Sequence, residues 1–575
     1  GWSLLHASSR LPPRKAPKRR IRLLASAFAG RPPVLLFEGE TGSSASSRCP
    51  GRVMSDEDVL AEGFSGLPKM FFCHQTTKDV HEYKAVLNTL ESAGLYRTDP
   101  SSGKWCLFWG PQPSPEQVRA LHPFQKANHF PGSWQLGRKD LLWKNVQRMK
   151  RQWSQQYDIM PSGFVLPDDY EAWKAAREQQ PSALWIWKPV SLSCGRGIRL
   201  LSSNVEAALD RRLAQKAGVV QRYVDRPLLI DGYKFDIRAY VVVTSYDPLK
   251  VYLNAEGLVR LATERYSASV DTLHQRTMHL TNYSVNRHSE DYVKNLDGAQ
   301  DDEGEESGRE SEVGQEAPET TAESGAPVSK WSMKQLREYF ATRGLDFELM
   351  MRRVKDLAVK TLLAAEPSIV SSWLQGASFA SFDPTLPQLG PRQGCFEIYG
   401  FDVLIDDSLK PWLLEVNTFP SLSSSSPFDK RVKSNLIADV LTMAGFLPFD
   451  HDLVTRASHE EQTKRLQGLA NKPVGVVRSH TVQSLGNLSS LRDLGEAEWR
   501  LIVDTHEENM RCGSLERIYP TREALKLYEP FFPSPRYANL VLARWLEAGG
   551  EDCFLPGDRS NVPSWVPQQV HFEAS

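Results

Sequence analysis

The chain has 575 residues, too many for one ordinary core, and its 41% hydrophobic and 24% charged content with 15 Trp excludes a wholly disordered chain. Its 69 basic and 70 acidic residues leave a net charge of -1, so attraction to a polyion must come from local patches rather than from the overall field. The seven cysteines are scattered without CxxC spacing, which suits reduced thiols, and no apolar run reaches the roughly 20 residues that cross a bilayer, so neither nucleic acid nor membrane is expected as a partner.

In chain order, residues 1–65 are rich in Ser, Gly, Pro and Arg and read as a disordered basic leader, with a targeting segment or nucleic-acid-binding arm at Arg10–Arg22 as the alternative. A structured unit is expected over 66–450. Its stretch Arg138–Trp153 has helical spacing, with Leu142, Val146 and Met149 on one side and Lys144, Arg148 and Arg151 largely elsewhere. Those cations read as a solvated face, or as a contact for an acidic peptide. Between 184 and 262 the runs LWIWKPV, VVQRYV, FDIRAYVVVTSY and KVYLNAEGLVRLA predict strands. The acidic stretch 295–328 lacks large apolar residues and is expected to be a disordered insertion. Helical spacing returns over Met350–Ala365, with Pro367 predicted to end it, and two strands follow at Cys395–Asp406 and Lys410–Asn417. A helix near Val432–Phe446 closes the unit, 451–483 reads as a linker, and 484–575 as a helical C-terminal extension.

Three groups of residues carry candidate chemistry. Glu415 and Asn417 lie two apart on one strand and therefore point the same way, and a tight connection at 406–409 lets Asp402 approach from the neighbouring strand. Two carboxylates and an amide are hard oxygen donors of the kind magnesium takes beside nucleotide phosphates. The alternative is acids on a solvated strand face; apolar Phe401, Val403, Leu413, Leu414 and Val416 argue for strands covered on both sides. Upstream, Lys188 at a strand end precedes a loop with Gly195, Arg196 and Gly197, which suits phosphate oxygens or simply a hairpin turn. The chain has neither GxxxxGK[ST] nor GxGxxG. Finally, Val219–Pro227 offers an apolar strand leading into a connector that can receive an adenine ring, and Lys234, Asp236 and Arg238 alternate with Phe235, Ile237 and Ala239, as a solvated face or as a contact for ribose and triphosphate.

Taken together, KPVSLSCGRGI, QRYV, DGYKFDIRAYVVVTSYDP, EGLVRLATERY, HLTNYSVN, CFEIYGFDVLIDDSLKPWLLEVN and Lys433, in this order, resemble the tubulin tyrosine ligase-like family, and within it the polyglutamylases. The resemblance runs from about Tyr83 to Phe446, and more weakly to about 550 through RIYPT. It implies an α/β (α+β) ATP-grasp core of N-terminal, central and C-terminal lobes. The implied activity is ATP-dependent addition of glutamate to glutamate side chains of tubulin tails through an acylphosphate. The resemblance assigns Lys188, Arg196, Gly197, Gln221, Arg222, Tyr223, Val224, Lys234, Asp236 and Asn282 to ATP. It gives Asp402, Glu415 and Asn417 to magnesium, and Arg238 to the terminal phosphate. Arg260, Tyr283, Ser284 and Lys433 would hold the incoming glutamate, with Arg238, Arg260 and Lys433 as the catalytic cations. The expected partners are microtubules, through acidic tubulin tails, and free L-glutamate. A monomer in the cytoplasm, on the cytoskeleton and at cilia, is the matching expectation. Glycine or tyrosine as the added amino acid, a non-tubulin acceptor, and an inactive microtubule-binding relative are the rival readings. Cys194 departs from relatives that often carry Arg there, and Thr418 follows Asn417 where others vary.

Overall fold

The computed structural model describes residues 20–39, 52–61, 67–77, 80–190, 192–295, 328–376, 389–390, 392–469, 476–555 and 561–570. All but the ends of the expected 295–328 insertion lies outside these residues, as do 1–19 of the expected leader.

The core is an antiparallel sheet built on one long strand, Tyr233–Tyr246, whose residues from Lys234 onward are all buried. Such continuous burial requires cover on both faces, which β-branched and aromatic residues supply here with Val241, Val242, Val243 and Tyr240. Leu258–Arg265 and Leu249–Asn254 pair with this strand, and so does Glu397–Ile405, which in turn pairs with Pro411–Asn417. The two C-terminal strands therefore form the expected hairpin. On the N-terminal side, a parallel sheet contains Phe71–His74, Tyr96–Arg97, Trp105–Trp109 and Lys126–Ala127. A third sheet holds Gly163–Leu166, Gly218–Arg222, Trp185–Pro189 and Arg199–Leu201, all antiparallel. This gives the three lobes that the resemblance implies.

Four expectations shift. Part of the supposed leader is folded: Leu23–Leu24 pairs with Val34–Leu35, and Leu23, Leu24, Phe28, Leu35 and Phe37 are buried. These apolar residues are clustered enough to bury together, although the surrounding Pro and Arg hide them in the composition. Pro367 does not end its helix, which runs over Phe347–Gly376. A proline inside a helix, which removes one backbone hydrogen bond and crowds the preceding turn, costs about 3 kcal/mol, and burial of Ile369, Val370 and Trp373 beyond it offsets that. The supposed linker contains a helix, His451–Leu466.

The C-terminal extension is helical over Glu496–Met510 and Tyr537–Glu547, but it also contributes a strand, Leu515–Tyr519, to the main sheet beside Leu249–Asn254. Polar contacts fasten it there. Glu508 accepts from Lys250 Nζ at 2.6 Å, Tyr252 OH at 2.8 Å and Thr244 Oγ1 at 2.6 Å. Arg536 Nε lies 2.6 Å from Glu366 Oε1, whose side chain is 1% exposed. Burial pushes the Glu366 carboxyl up and Arg536 opposes that.

An Arg536→Ala variant leaves Glu366 buried without its cation, and we expect a loss of about 3–5 kcal/mol in chemical denaturation at neutral pH. Adding Glu366→Gln should restore most of it. Unchanged denaturation of the single variant would show that this pair does not clamp the extension.

Candidate active site

The candidate site lies where the third sheet faces the end of the main sheet, in a cavity of about 690 Å³ that is open to solvent. Lys188, Gln221, Arg222, Tyr223, Val224, Lys234, Asp236, Asn282, Asp402 and Glu415 all line it. These come from six separate segments of the chain. Ile186, Ile198, Leu280, Leu404 and Leu414 supply apolar walls that motif reading missed, because single aliphatic residues in strands carry no distinguishing pattern.

Register explains how the charged groups meet. Asp402 stands directly opposite both Arg238 and Glu415, and Asp236 stands opposite Arg260. Asp236 and Arg238 are two apart on one strand and share a face. Arg238 Nε donates to Asp402 Oδ1 at 2.5 Å and its Nη2 to Oδ2 at 3.0 Å. Arg260 grips both oxygens of Asp236, through Nε at 2.7 Å and through Nη2, and also reaches Asp402 Oδ2 at 2.9 Å. Burial pushes the Asp402 carboxyl up, but Arg238 and then Arg260 hold it well below the usual carboxylate range. The alternating polar face is therefore buried rather than solvated. Arg238 and Arg260 stand behind the cavity wall, held by the carboxylates that line it.

Two lysines reach the cavity at unusual protonation midpoints. Burial pushes Lys188 down to about 8, with Glu415 opposing, and its Nζ donates to Gln221 Oε1 at 2.8 Å. Lys234 falls to about 7 by burial, with Asp236 opposing, and its Nζ donates to Tyr223 OH at 2.8 Å. Gln221 Nε2 is buried without a hydrogen-bond partner. Such an orphaned donor is costly unless a ligand completes it. A polar, oxygen-rich ligand with apolar parts fits this lining.

Glu415 Oε2 lies 3.0 Å from Lys139 Nζ, and Asn417 Nδ2 donates to the Gly400 carbonyl at 3.2 Å and to Glu415 Oε1 at 3.5 Å. Among the described residues, no three His, Cys, Asp or Glu side chains are grouped to hold a metal. The oxygen set is two carboxylates and an amide, and Asp402 already serves two arginines. Lys139, missed by the sequence reading, opens the helix Lys139–Trp153 and also donates to the Leu192 carbonyl at 3.2 Å.

Arg196 and Gly197 do not line the cavity; Arg196 is exposed and bonds back to Ser193. Their loop is docked by other side chains. Arg276 Nη2 donates to the Gly195 carbonyl at 2.6 Å and Ser284 Oγ to the Cys194 carbonyl at 2.8 Å. Gly195 has φ +67°, and a Cβ there would lie 3.0 Å from Asn282 Oδ1, so both backbone and space favour glycine.

Lys433 lies in a second cluster, apart from the cavity lining. It sits on the helix Pro427–Ala444 with its Nζ 2.8 Å from Asp429 Oδ1, four residues earlier. Burial pushes Lys433 down to about 8, with Asp429 opposing. Lys330, missed because it stands alone after the acidic stretch, places Nζ 3.0 Å from Asp429 Oδ2 and 4.5 Å from the Tyr283 ring centroid. Its Cα is paired across the sheet with that of Arg260.

The model of the Tubulin-tyrosine ligase family matches residues 117–325 and 315–453, more than half of the chain. The tubulin monoglutamylase TTLL4 of Homo sapiens is 33% identical over 470 residues, which cover 78% of this chain and 35% of the relative. The tubulin polyglutamylase TTLL5 of Mus musculus is 35% identical over 480 residues, covering 80% and 33%. The chain thus spans about a third of the length of these two relatives. The tubulin polyglutamylase ttll-4 of Caenorhabditis elegans is 31% identical over 494 residues, covering 84% of this chain and 73% of its own length. Matched sequence across the site-bearing strands, and relatives of the same kind over most of the chain, establish that this protein belongs to the tubulin-tyrosine ligase family.

Proposed function

We propose that the protein is an ATP-dependent ligase that adds glutamate to glutamate side chains in the acidic tails of tubulin, acting on microtubules. The observation that carries the reading is the cavity itself, in which lysines, a buried unpaired amide and three carboxylates converge beside apolar walls. Relatives named as tubulin glutamylases support the substrate.

Amide formation from a carboxylate needs activation. In this reading an oxygen of the acceptor carboxylate takes the terminal phosphoryl group of ATP, releasing ADP. The amine of glutamate, having lost a proton, then attacks the acyl carbon and displaces phosphate. Lys188 and Lys234 bind phosphate oxygens as point charges, and Gln221 with the Arg222–Val224 connector faces the rest of the nucleotide. Arg238 and Arg260, immobilised by Asp402 and Asp236, present fixed positive charge where anionic oxygen accumulates, at no reorganisation cost during the reaction. Asp402, Glu415 and Asn417 would hold magnesium, which supplies charge neutralisation on the phosphates when bound. No nucleophilic side chain is required.

Purified protein with ATP, magnesium and labelled glutamate should modify assembled microtubules, and Glu415→Gln should reduce incorporation by at least about a hundredfold. Incorporation of glycine in place of glutamate would sink the reading, as would intact ATP binding without any transfer.

The Lys234 midpoint gives a second test. A lysine with a midpoint near 7 is cationic below it and neutral above, so phosphate binding in alkaline buffer must first recapture a proton. Nucleotide affinity measured by calorimetry should therefore fall as pH rises through about 7, with proton uptake on binding, and Lys234→Met should flatten that fall. A pH-independent affinity in the unaltered protein would contradict the role given to Lys234.

A further inference from the structure

We propose that His279 is a positioning residue of the cavity: as the tautomer protonated on Nε2, it takes the hydroxyl proton of Tyr223 on Nδ1 and leaves the Tyr223 oxygen to receive Lys234. The purpose of this arrangement rests on the nucleotide reading of the cavity, and it adds a side chain outside the set assigned to ATP.

The direction of each hydrogen bond follows from which atoms hold protons. His279 Nε2 lies 3.0 Å from the Thr272 carbonyl oxygen, which can only accept, so this nitrogen carries the proton. The Thr272 hydroxyl, 3.4 Å from the same nitrogen, donates instead to the Ser269 carbonyl at 2.8 Å. Burial pushes the His279 midpoint down, and Lys234 pushes it the same way, so the ring is neutral at pH 7 and Nδ1 holds a bare lone pair. Tyr223 OH, at 3.0 Å, therefore donates to Nδ1. Its oxygen then faces Lys234 Nζ, at 2.8 Å, with lone pairs alone. Tyr266 does not compete for the lysine, since its hydroxyl donates to the Asp225 carbonyl at 2.9 Å. The relay runs one way, from Lys234 to Tyr223 to His279 to Thr272, and its first three members are buried.

Among the described residues Tyr223 is the one hydrogen-bond acceptor of Lys234, and it accepts because His279 holds its proton. A Tyr223 hydroxyl free to turn would donate to the neutral amine of Lys234 and favour the uncharged form. The other titratable groups around Lys234 are Asp236 on its own strand, Lys188, and Tyr266, whose ring centroid lies 5.7 Å from Nζ. Those around His279 are Lys234, Glu264 and His274, with the rings of Tyr223 and Tyr266 edge-on at 5.8 and 5.7 Å. The fold holds the histidine in place. It ends the helix Arg276–His279, whose Arg276 donates to the Gly195 carbonyl, and Asn286 beyond it donates to the Leu280 carbonyl at 2.7 Å while accepting from Thr263 N at 3.0 Å. One turn of helix thus ties the Gly195 loop at its start and the Tyr223 connector at its end.

The test reads Lys234 directly in the unliganded full chain, by NMR titration of lysine labelled at Cε, its resonance assigned by loss in Lys234→Met. His279→Leu removes the acceptor and should weaken the lysine's hold on its proton about tenfold, moving the midpoint below about 7. His279→Asn, whose amide oxygen can stand in for Nδ1, should recover most of that. Tyr223→Phe should lower the midpoint too, and adding His279→Leu to it should change nothing more, because the histidine acts through the hydroxyl. Calorimetry with a non-hydrolysable ATP analogue and magnesium should then find His279→Leu about fivefold weaker at pH 7, with the alkaline fall in affinity displaced to lower pH. A Lys234 midpoint that His279→Leu does not move would overturn the proposal, as would a further shift when His279→Leu joins Tyr223→Phe, the mark of a merely structural histidine. Midpoints that move in this way in a protein that binds no nucleotide would overturn the nucleotide reading and leave the positioning role standing.

Discussion

Everything at this site depends on the buried exchange of charge between Asp236, Arg260, Asp402 and Arg238. Four charged residues, each no more than 9% exposed, are taken out of water on adjacent antiparallel strands. Isolated, any one of them would cost several kcal/mol. They persist because the strand register sets each carboxylate opposite a guanidinium, and because Arg260 bridges Asp236 and Asp402. The planar guanidinium fork makes these contacts directional, which a lysine would not. The consequence is a rigid, preorganised charge pattern at the floor of the cavity.

Rigid arginines and adaptable lysines divide the work. Arg238 and Arg260 remain charged in any accessible buffer, whereas Lys188, Lys234 and Lys433 are pushed by burial to midpoints of about 8, 7 and 8. The lysines are therefore the groups whose charge responds to an arriving anion. Those that line the cavity face the nucleotide in the proposed function, while Lys433, tied to Asp429 with Lys330, stands in the second cluster.

The periphery serves the same floor. The strand Leu515–Tyr519 extends the main sheet by one member, and Glu508 collects three donors from the two strands it covers. Buried Glu397, on the strand that bears Asp402, accepts from His129 Nδ1 at 2.8 Å and Ser133 Oγ at 2.9 Å, fastening the N-terminal lobe to that strand just ahead of the helix that carries Lys139. The segments at both ends of the described chain meet as well, since Val570 N donates to the Ala27 carbonyl at 2.8 Å. Extension and leader residues thus belong to the body of the fold.

What the sequence determined by itself was local and periodic. Alternation on strands put Asp236 with Arg238 and Glu415 with Asn417 on shared faces, a short turn brought Asp402 opposite Glu415, and the order of motifs indicated the family, because these depend on residues near one another in the chain. The apolar pairs of residues 23–37 and the burial beyond Pro367 were undervalued, since composition and a single proline say nothing of what packs against them. Only the tertiary structure decided which charges pair across the sheet. It joined Arg260 to Asp402 over 142 residues and Lys330 to Asp429 over 99, and it left Arg196 and Gly197 off the cavity wall. Pairing of buried charges is a property of register between distant strands, and in one dimension an acid that will face water and an acid that will face an arginine look the same.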